Sequence, residues 1–377
     1  MRILGIETSC DETAVCLIEA AGDFGPSFEW ETLGNALISQ AKLHEQYGGV
    51  FPNLAKREHA KNLVPLLSRV VREDGSTSFE ETPLRELLHR EPELCEQLIP
   101  FLKTHAKPDI DTVAVTYGPG LEPALWVGIN FAKALSLVWN VPIVAVNHME
   151  GHIVMSMMEE KALAQFEFPV LSLLISGGHT ELVLSKEFGK YEVVGQTRDD
   201  AAGEAFDKVA RLLGLEYPGG PEISRLAVEA RNGNEKSEIK LPRPMMNEDN
   251  FDFSFSGLKT AVRRIVDGKE LSEEEKKGIA REFEDAVADV LVSKTLRAAE
   301  AFGVQTIVVG GGVSANAEIR RRLASELSTI NCQLLVPPPE LATDNAIMIA
   351  LAGYFHAQKK EFADPTTLAA NGNLKLC

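Results

Sequence analysis

Residues 1–19 read MRILGIETSCDETAVCLIE, and the architecture follows from how this stretch is divided. Met1 to Thr8 has the length and apolar character of a buried strand. It runs into the polar turn Glu7-Thr8-Ser9-Cys10-Asp11-Glu12-Thr13, and Ala14 to Glu19 resumes as a second strand. The same form returns in the second half: Pro169 to Ile175 as a strand, Ser176-Gly177-Gly178-His179 as a turn, Thr180 to Ser185 as the returning strand. A strand–polar turn–strand unit at the head of each half indicates internal duplication, with two related lobes facing across a cleft.

Outward from these units the chain reads as α/β. Thr112 to Tyr117 is a strand entering Gly118-Pro119-Gly120, Glu122 to Trp139 a helix, and Val141 to Val146 the next strand. Asn53 to Val71 reads as a helix. Residues 72–107, charged and punctuated by proline, read as an inserted helical excursion. In the second half a helix from Arg198 to Leu213 opens on Asp199-Asp200 and stops at Gly214. Ser272-Glu273-Glu274-Glu275 is a capping-box pattern ahead of a long helix to about Phe302. A strand Thr306 to Val309, a helix Ala315 to Ser328 and a last helix Asp344 to His356 complete the pattern. The expected division is a lobe of residues 1–167 and a lobe of residues 168–377, with the last helix packing back on the first lobe.

The chain has 377 residues, 45% hydrophobic and 25% charged, as in soluble globular proteins. Its net charge of −17 disfavours non-specific binding of nucleic acid or membrane through a general positive field, while leaving room for a local basic patch such as Arg320-Arg321-Arg322 or Lys56-Arg57. The five cysteines show no Cys-x-x-Cys spacing and no disulfide framework, which fits a reducing cytosol. Residues 1–10 carry no charged-then-apolar leader, and runs such as Pro169 to Ile175 are too short to span a bilayer. The expectation is a soluble, cytoplasmic protein without membrane contact.

Asn147-His148-Met149-Glu150-Gly151-His152 carries the most specific chemistry. Histidines four apart on a helix project from one face and can occupy adjacent corners of a metal's coordination sphere. The order is not that of a zinc protease, whose general-base glutamate directly follows the first histidine; Met149 stands there. Partly buried structural histidines are the plain alternative. Asp344, in Thr343-Asp344-Asn345, is read either as the N-cap of the last helix or as a carboxylate joining His148 and His152. A two-histidine, one-carboxylate set leaves coordination positions open and suits zinc or iron. Ser176-Gly177-Gly178-His179-Thr180 lets backbone N–H groups approach an anion, or is simply a glycine hairpin turn. Gly310-Gly311-Gly312-Val313-Ser314-Ala315-Asn316 lies between strand and helix, a common nucleotide position. On the helix after Asp199 the apolar face is Ala202, Phe206, Val209 and Leu213; Glu204 and Asp207 fall off it, and Asp207 either accepts from ribose hydroxyls or belongs to a solvated acidic face.

Taken together these segments resemble the tRNA N6-adenosine threonylcarbamoyltransferase family, called TsaD in bacteria and formerly labelled O-sialoglycoprotein endopeptidase. The resemblance also includes Tyr47-Gly48-Gly49-Val50, Gly118 to Leu121, Tyr217 to Pro221 and Phe255-Ser256-Gly257-Leu258-Lys259-Thr260, in order along almost the whole chain. It implies two ribonuclease-H-like lobes of the actin/Hsp70/sugar-kinase (ASKHA) fold. It implies one divalent metal, iron or zinc, held by His148, His152 and Asp344, and a threonylcarbamoyl-AMP bound by Leu174, Ile175, Ser176, Gly177, Gly178, Asp207, Gly220 and Asn316. The group would pass to the exocyclic amine of the adenosine 3′ of the anticodon in tRNAs reading codons that begin with A. A basic residue near the N-terminal turn, or Glu12 with Asp11 beside it, is the candidate for handling the proton. A non-catalytic paralogue and a P-loop ATPase would be partners. Asn53 and Glu122-Pro123 depart from the usual family residues, and residues 72–107 exceed the usual linker. The competing readings are a non-catalytic ASKHA-fold scaffold in the same pathway, a metallopeptidase and a small-molecule kinase. An intact metal set argues against the scaffold, and the histidine–glutamate order against the peptidase.

Overall fold

The computed structural model describes residues 1–71, 75–233 and 239–376. The chain opens with β1 (Arg2–Glu7), β2 (Glu12–Ala21) and β3 (Glu29–Ser39), then α1 (Ala41–Glu45), α2 (Pro52–Val70), α3 (Glu81–Leu87) and α4 (Pro92–Thr104). Next come β4 (Thr112–Gly118), α5 (Glu122–Trp139), β5 (Ile143–Asn147), α6 (His148–Ser156) and the short β6 (Met158–Glu159) and β7 (Ala162–Leu163). The second half holds β8 (Val170–Ile175), β9 (Thr180–Glu187), β10 (Lys190–Gln196), α7 (Ala202–Leu212), α8 (Gly219–Asn232), α9 (Ser256–Val266) and α10 (Glu273–Phe302). It closes with β11 (Thr306–Gly310), a 3-10 turn (Gly312–Ala315), α11 (Ala317–Thr329), β12 (Gln333–Leu335), α12 (Pro339–Ala342) and α13 (Ala346–Gln358).

These elements form two compact units. The first holds Met1–Leu43, Val50–Gln165 and Asp344–Leu376; the second holds His44–Gly49 and Phe166–Thr343. Each is built on one sheet, in the orders β5-β4-β1-β2-β3-β7-β6 and β10-β9-β8-β11-β12. In both, an antiparallel hairpin (β1–β2 or β8–β9) continues to a third antiparallel strand, and parallel strands lie on its other side. The order third–second–first–fourth–fifth therefore occurs twice, which is the ribonuclease-H-like pattern of the duplicated ASKHA fold.

In the first unit α13 reads AIMIALAGYFHAQ and is buried almost all round, as a helix apolar on every face must be. It lies against β1, β2, β4, β5 and α6. Two glycines permit that approach. A Cβ on Gly5 would stand 2.4 Å from the Ala346 carbonyl oxygen, and one on Gly353 2.4 Å from Ala114 Cβ. On the opposite face α2, α4 and α5 share a core with β1, β2 and β4. Of the segment read as an excursion, residues 72–74 lie outside the described residues. The remainder supplies α3 and α4 and belongs to this core: Leu84, Leu88, Leu94, Leu98 and Leu102 are all 0% exposed.

In the second unit α10 runs thirty residues beside α8 and α11. Its expected capping box is present: the Ser272 side chain accepts from Glu275 N, and the Glu275 carboxylate accepts from Ser272 N. Two boundaries differ from expectation. The helix expected from Arg198 starts at Ala202, because Asp199 accepts hydrogen bonds from Ser254, Phe255 and Ser256 instead of opening α7. The last helix starts at Ala346, because Asn345, not Asp344, caps it by accepting from Met348 N. None of the described helices is long and apolar enough to cross a membrane.

Candidate metal centre and glycine-loop site

Asn147 ends β5 and caps α6, its side chain accepting from Met149 N. This places His148 at the first helical position and His152 one turn later on the same face, 6% and 1% exposed. Their ring centroids are 4.8 Å apart. Asp344, released from capping, meets both: its Oδ1 is 3.4 Å from His148 Nε2 and 3.1 Å from His152 Nε2. One donor atom from each of the three lies within 4.8 Å of the others. Burial alone would push Asp344 up, but the two imidazoles outweigh it and hold the carboxyl well below its usual range. Burial likewise opposes a charge on His148, yet Asp344 and Glu7 together raise its pKa well above normal. The two carboxylates thus favour positive charge at this position, and a metal bound there would displace any proton held by the histidines.

Glu7 has no role in the sequence reading beyond its place in the first turn, yet it completes the centre. It is 0% exposed. Its Oε1 accepts from Ser9 N at 2.5 Å, and its Oε2 accepts from Thr116 Oγ1 at 2.7 Å and faces His148 Nδ1 at 3.0 Å. A carboxylate only accepts, so His148 carries a hydrogen on Nδ1, and Nε2, on the side of Asp344 and His152, is the nitrogen left to bind a metal. A histidine ligand held through its other nitrogen by a buried carboxylate is the usual outer support of a metal site. The signal available in sequence was a glutamate closing an apolar strand, where burial demands partners. The donor set thus fits a divalent metal with positions left open, and two imidazoles with one carboxylate suit zinc or iron. Glu150 points elsewhere: its Oε2 is 2.7 Å from His356 Nε2. It is not placed as a base for this centre.

The Cys10–Thr13 turn is held by buried His59, whose Nε2 is 3.0 Å from the Cys10 carbonyl oxygen and whose Nδ1 is 2.8 Å from Thr13 Oγ1. Glu12 accepts from Ser39 Oγ. Burial, with the carboxylates of Asp11 and Asp344, pushes the Glu12 carboxyl up to about 9. Burial and the same neighbours push the Cys10 thiol well above its usual value, which removes it as a thiolate nucleophile.

The glycine-loop residues gather at the carboxyl ends of β8 and β11 in the second unit, the usual ligand edge of an α/β sheet. Ser176 N donates to the His179 carbonyl, and Gly203 N at the start of α7 donates to the Ser176 carbonyl. A Cβ on Gly177, Gly178 or Gly220 would meet nothing within 4 Å, so these backbones face open space. Asp207 Oδ1 accepts from Gly219 N at 2.7 Å and pins the start of α8 beside α7. Asn316 caps α11 through Oδ1, and its amide donates to Ser224 and Glu284 at 2.8 and 2.7 Å. Leu174 and Ile175 are buried strand residues that bring the loop to this edge. The expected apolar face of α7 is the buried one, Ala202, Phe206, Val209 and Leu213.

Among known proteins, the family described as tRNA N6-adenosine threonylcarbamoyltransferase matches residues 31–80 and 85–351. Proteins bearing that name from Bacillus thuringiensis (strain Al Hakam), Bacillus cereus (strain ZK / E33L) and Bacillus anthracis are each 42% identical, over 98% of this chain and 95% of theirs. Two solved structures share the fold. A full-length HypF in a phosphate- and nucleotide-bound form aligns with a TM-score of 0.53 at 15% identity, over 95% of this chain and 55% of that one. The HypF of T. kodakarensis aligns at 0.50 and 14% identity, over 74% and 44%. This chain therefore spans about half the length of the HypF chains.

Proposed function

The chain belongs to the tRNA N6-adenosine threonylcarbamoyltransferase family, and from that premise we propose that it transfers threonylcarbamoyl from threonylcarbamoyl-AMP to the exocyclic amine of the adenosine 3′ of the anticodon, in tRNAs reading codons that begin with A. The observation that carries the reading within the molecule is the His148–His152–Asp344 set with Glu7 behind it. A scaffold has no use for such a set.

The substrate is a mixed carbamic–phosphoric anhydride. The amine nitrogen forms a bond to the carbamoyl carbon, the bond from that carbon to the phosphate oxygen breaks, and AMP leaves with the electron pair. The amine gives up one proton. An adenosine amine is a poor nucleophile, so catalysis rests mainly on positioning and polarisation. A zinc or iron ion bound at the triad supplies Lewis acidity for the threonylcarbamoyl group. Glu7 keeps His148 in the tautomer that binding requires. Adenylate binding falls to Leu174, Ile175, Ser176, Gly177, Gly178, Asp207, Gly220 and Asn316. The backbone N–H groups of the open 176–178 loop suit a phosphate, while Asn316 acts by fixing the start of α11 against Ser224. Glu12, with Asp11, is the residue assigned to the departing proton. The partners are tRNA, a non-catalytic paralogue and a P-loop ATPase, in the cytoplasm.

The test is AMP release from synthetic threonylcarbamoyl-AMP, with and without unmodified tRNA, in the presence of the partner proteins. Release that depends on tRNA supports the reading. Release indifferent to tRNA, from folded and metal-loaded protein, would overturn it.

A further inference from the structure

One segment singled out in the sequence has no part in the site above: Phe255-Ser256-Gly257-Leu258-Lys259-Thr260, which opens α9. Its helix reads SGLKTAVRRIV and buries Leu258 and Val262. Lys259 and Arg263 are four residues apart and so share one face. That face lines a cavity of about 430 Å³ with Lys208 and Arg211 of α7, against a single carboxylate, Asp267. Lys208 is already neutralised by Asp200 and Glu204, at 2.6 and 2.8 Å. Among the described residues no carboxylate pairs with Arg211, Lys259 or Arg263. Residues 259–269 hold Lys259, Arg263, Arg264 and Lys269 with only Asp267 opposing them, in a chain whose net charge is −17.

This arrangement works against the stability of α9. Like charges at this helical spacing repel, and acids elsewhere in the chain are arranged to pair. Arg231 and Arg322, for example, sit among Glu284, Asp285, Asp289 and Glu318. The start of α9 is also anchored. Asp199, just before α7, accepts from the hydroxyls of Ser254 and Ser256, both at 2.6 Å, and from the backbone N–H groups of Phe255 and Ser256. The backbone at the start of α9 is therefore tied to the segment that leads into α7.

We infer that the α7–α9 face, through Arg211, Lys259 and Arg263, binds the sugar-phosphate backbone of the tRNA substrate. The inference rests on the function proposed above for the choice of polyanion. Exposed cations hold a small free phosphate weakly, but a polyanion gains at every contact by releasing condensed counterions. In a molecule that otherwise repels nucleic acid, a local positive face also decides where the approach occurs.

The experiment compares full-length wild type, Lys259→Ala with Arg263→Ala, and the charge-keeping Lys259→Arg with Arg263→Lys, all with the partner proteins. It reads tRNA affinity against salt concentration, KM for tRNA, and bound metal. Removing both charges should flatten the log–log salt dependence by about 2 and weaken tRNA binding roughly tenfold or more, since each phosphate contact contributes about 1 to the slope. Metal content should stay unchanged, and the charge-keeping pair should recover most of the affinity. Unchanged slope and KM in the alanine pair, beside a wild type that modifies tRNA, would overturn this surface alone. A wild type that neither binds nor modifies tRNA would overturn the functional reading instead.

Discussion

Replacing Glu7 with Gln changes one heavy atom and tests how the proposed metal centre is held. The buried carboxylate accepts at both oxygens, from Ser9 N on one side and from Thr116 and His148 Nδ1 on the other. Glutamine keeps the shape but brings an NH2 group, and neither orientation suits. With NH2 toward His148, two donors meet unless the imidazole moves its hydrogen to Nε2, which removes the lone pair that a metal would need. With NH2 toward Ser9, it meets the backbone N–H head-on, leaving a buried donor unpaired at a cost of about 1–3 kcal/mol. Losing such a supporting partner typically weakens a metal site about 10–100-fold, equivalent to about 1.4–2.7 kcal/mol. The assay is competition against a chelator of known affinity, with zinc or ferrous iron, on wild type, Glu7→Gln and Glu7→Asp. We expect the loss in Glu7→Gln, with smaller effects on the melting temperature of the metal-free protein. Wild-type metal affinity in Glu7→Gln would refute the argument that Glu7 sets the tautomer.

Other predictions concern the frame around this centre. Burial disfavours a charge on His356, but Glu150 and Glu361, at 2.7 and 2.6 Å, outweigh it and raise its pKa to about 9. Because the folded value exceeds the unfolded one, the stabilisation is full below about pH 6.5 and fades as pH rises through 9. Its ceiling is about 3 kcal/mol, so His356→Gln should cost most near pH 6 and almost nothing at pH 10 in denaturant titrations; a pH-independent cost would contradict the pairing. Leu98→Ala should destabilise by about 2–5 kcal/mol, and deletion of residues 76–104 should abolish folding, because this segment is part of the first unit's core; a folded, cooperatively melting deletion would show it to be dispensable. Gly353→Ala forces a Cβ into Ala114 and should cost about 1–3 kcal/mol, read as a lowered melting temperature; no change would mean that α13 shifts freely on the sheet.

Much of this was legible because local and long-range signals agreed. The strand–turn–strand repeat, the capping box at Ser272 and the one-face spacing of His148 and His152 depend on local pattern, and each appears where that pattern puts it. The strand β3 is not legible in the sequence, since its alternation is weak: it is largely exposed and paired only through β2 and a single bridge to β7. The helix starts expected at Asp199 and Asp344 are displaced for one physical reason, although the second reading of Asp344, beside His148 and His152, is the geometry found. An acidic residue before an apolar run looks like a cap in sequence, and only tertiary contact shows that Asp199 serves residues 254–256 and that Asn345 takes the capping role from Asp344. Glu7 shows no role in the sequence. Its partners His148 and Thr116 lie more than a hundred residues away, so nothing local revealed them.

The central claim is that this chain modifies tRNA through the centre built on His148, His152 and Asp344. Its most direct test supplies wild type and His148→Ala, each with the partner proteins, with synthetic threonylcarbamoyl-AMP and unmodified tRNA, and identifies the digested nucleosides by mass spectrometry. The account predicts threonylcarbamoyladenosine with wild type and its loss with His148→Ala, together with loss of bound metal. Modified nucleoside at the wild-type rate from a folded, metal-free His148→Ala protein would contradict it.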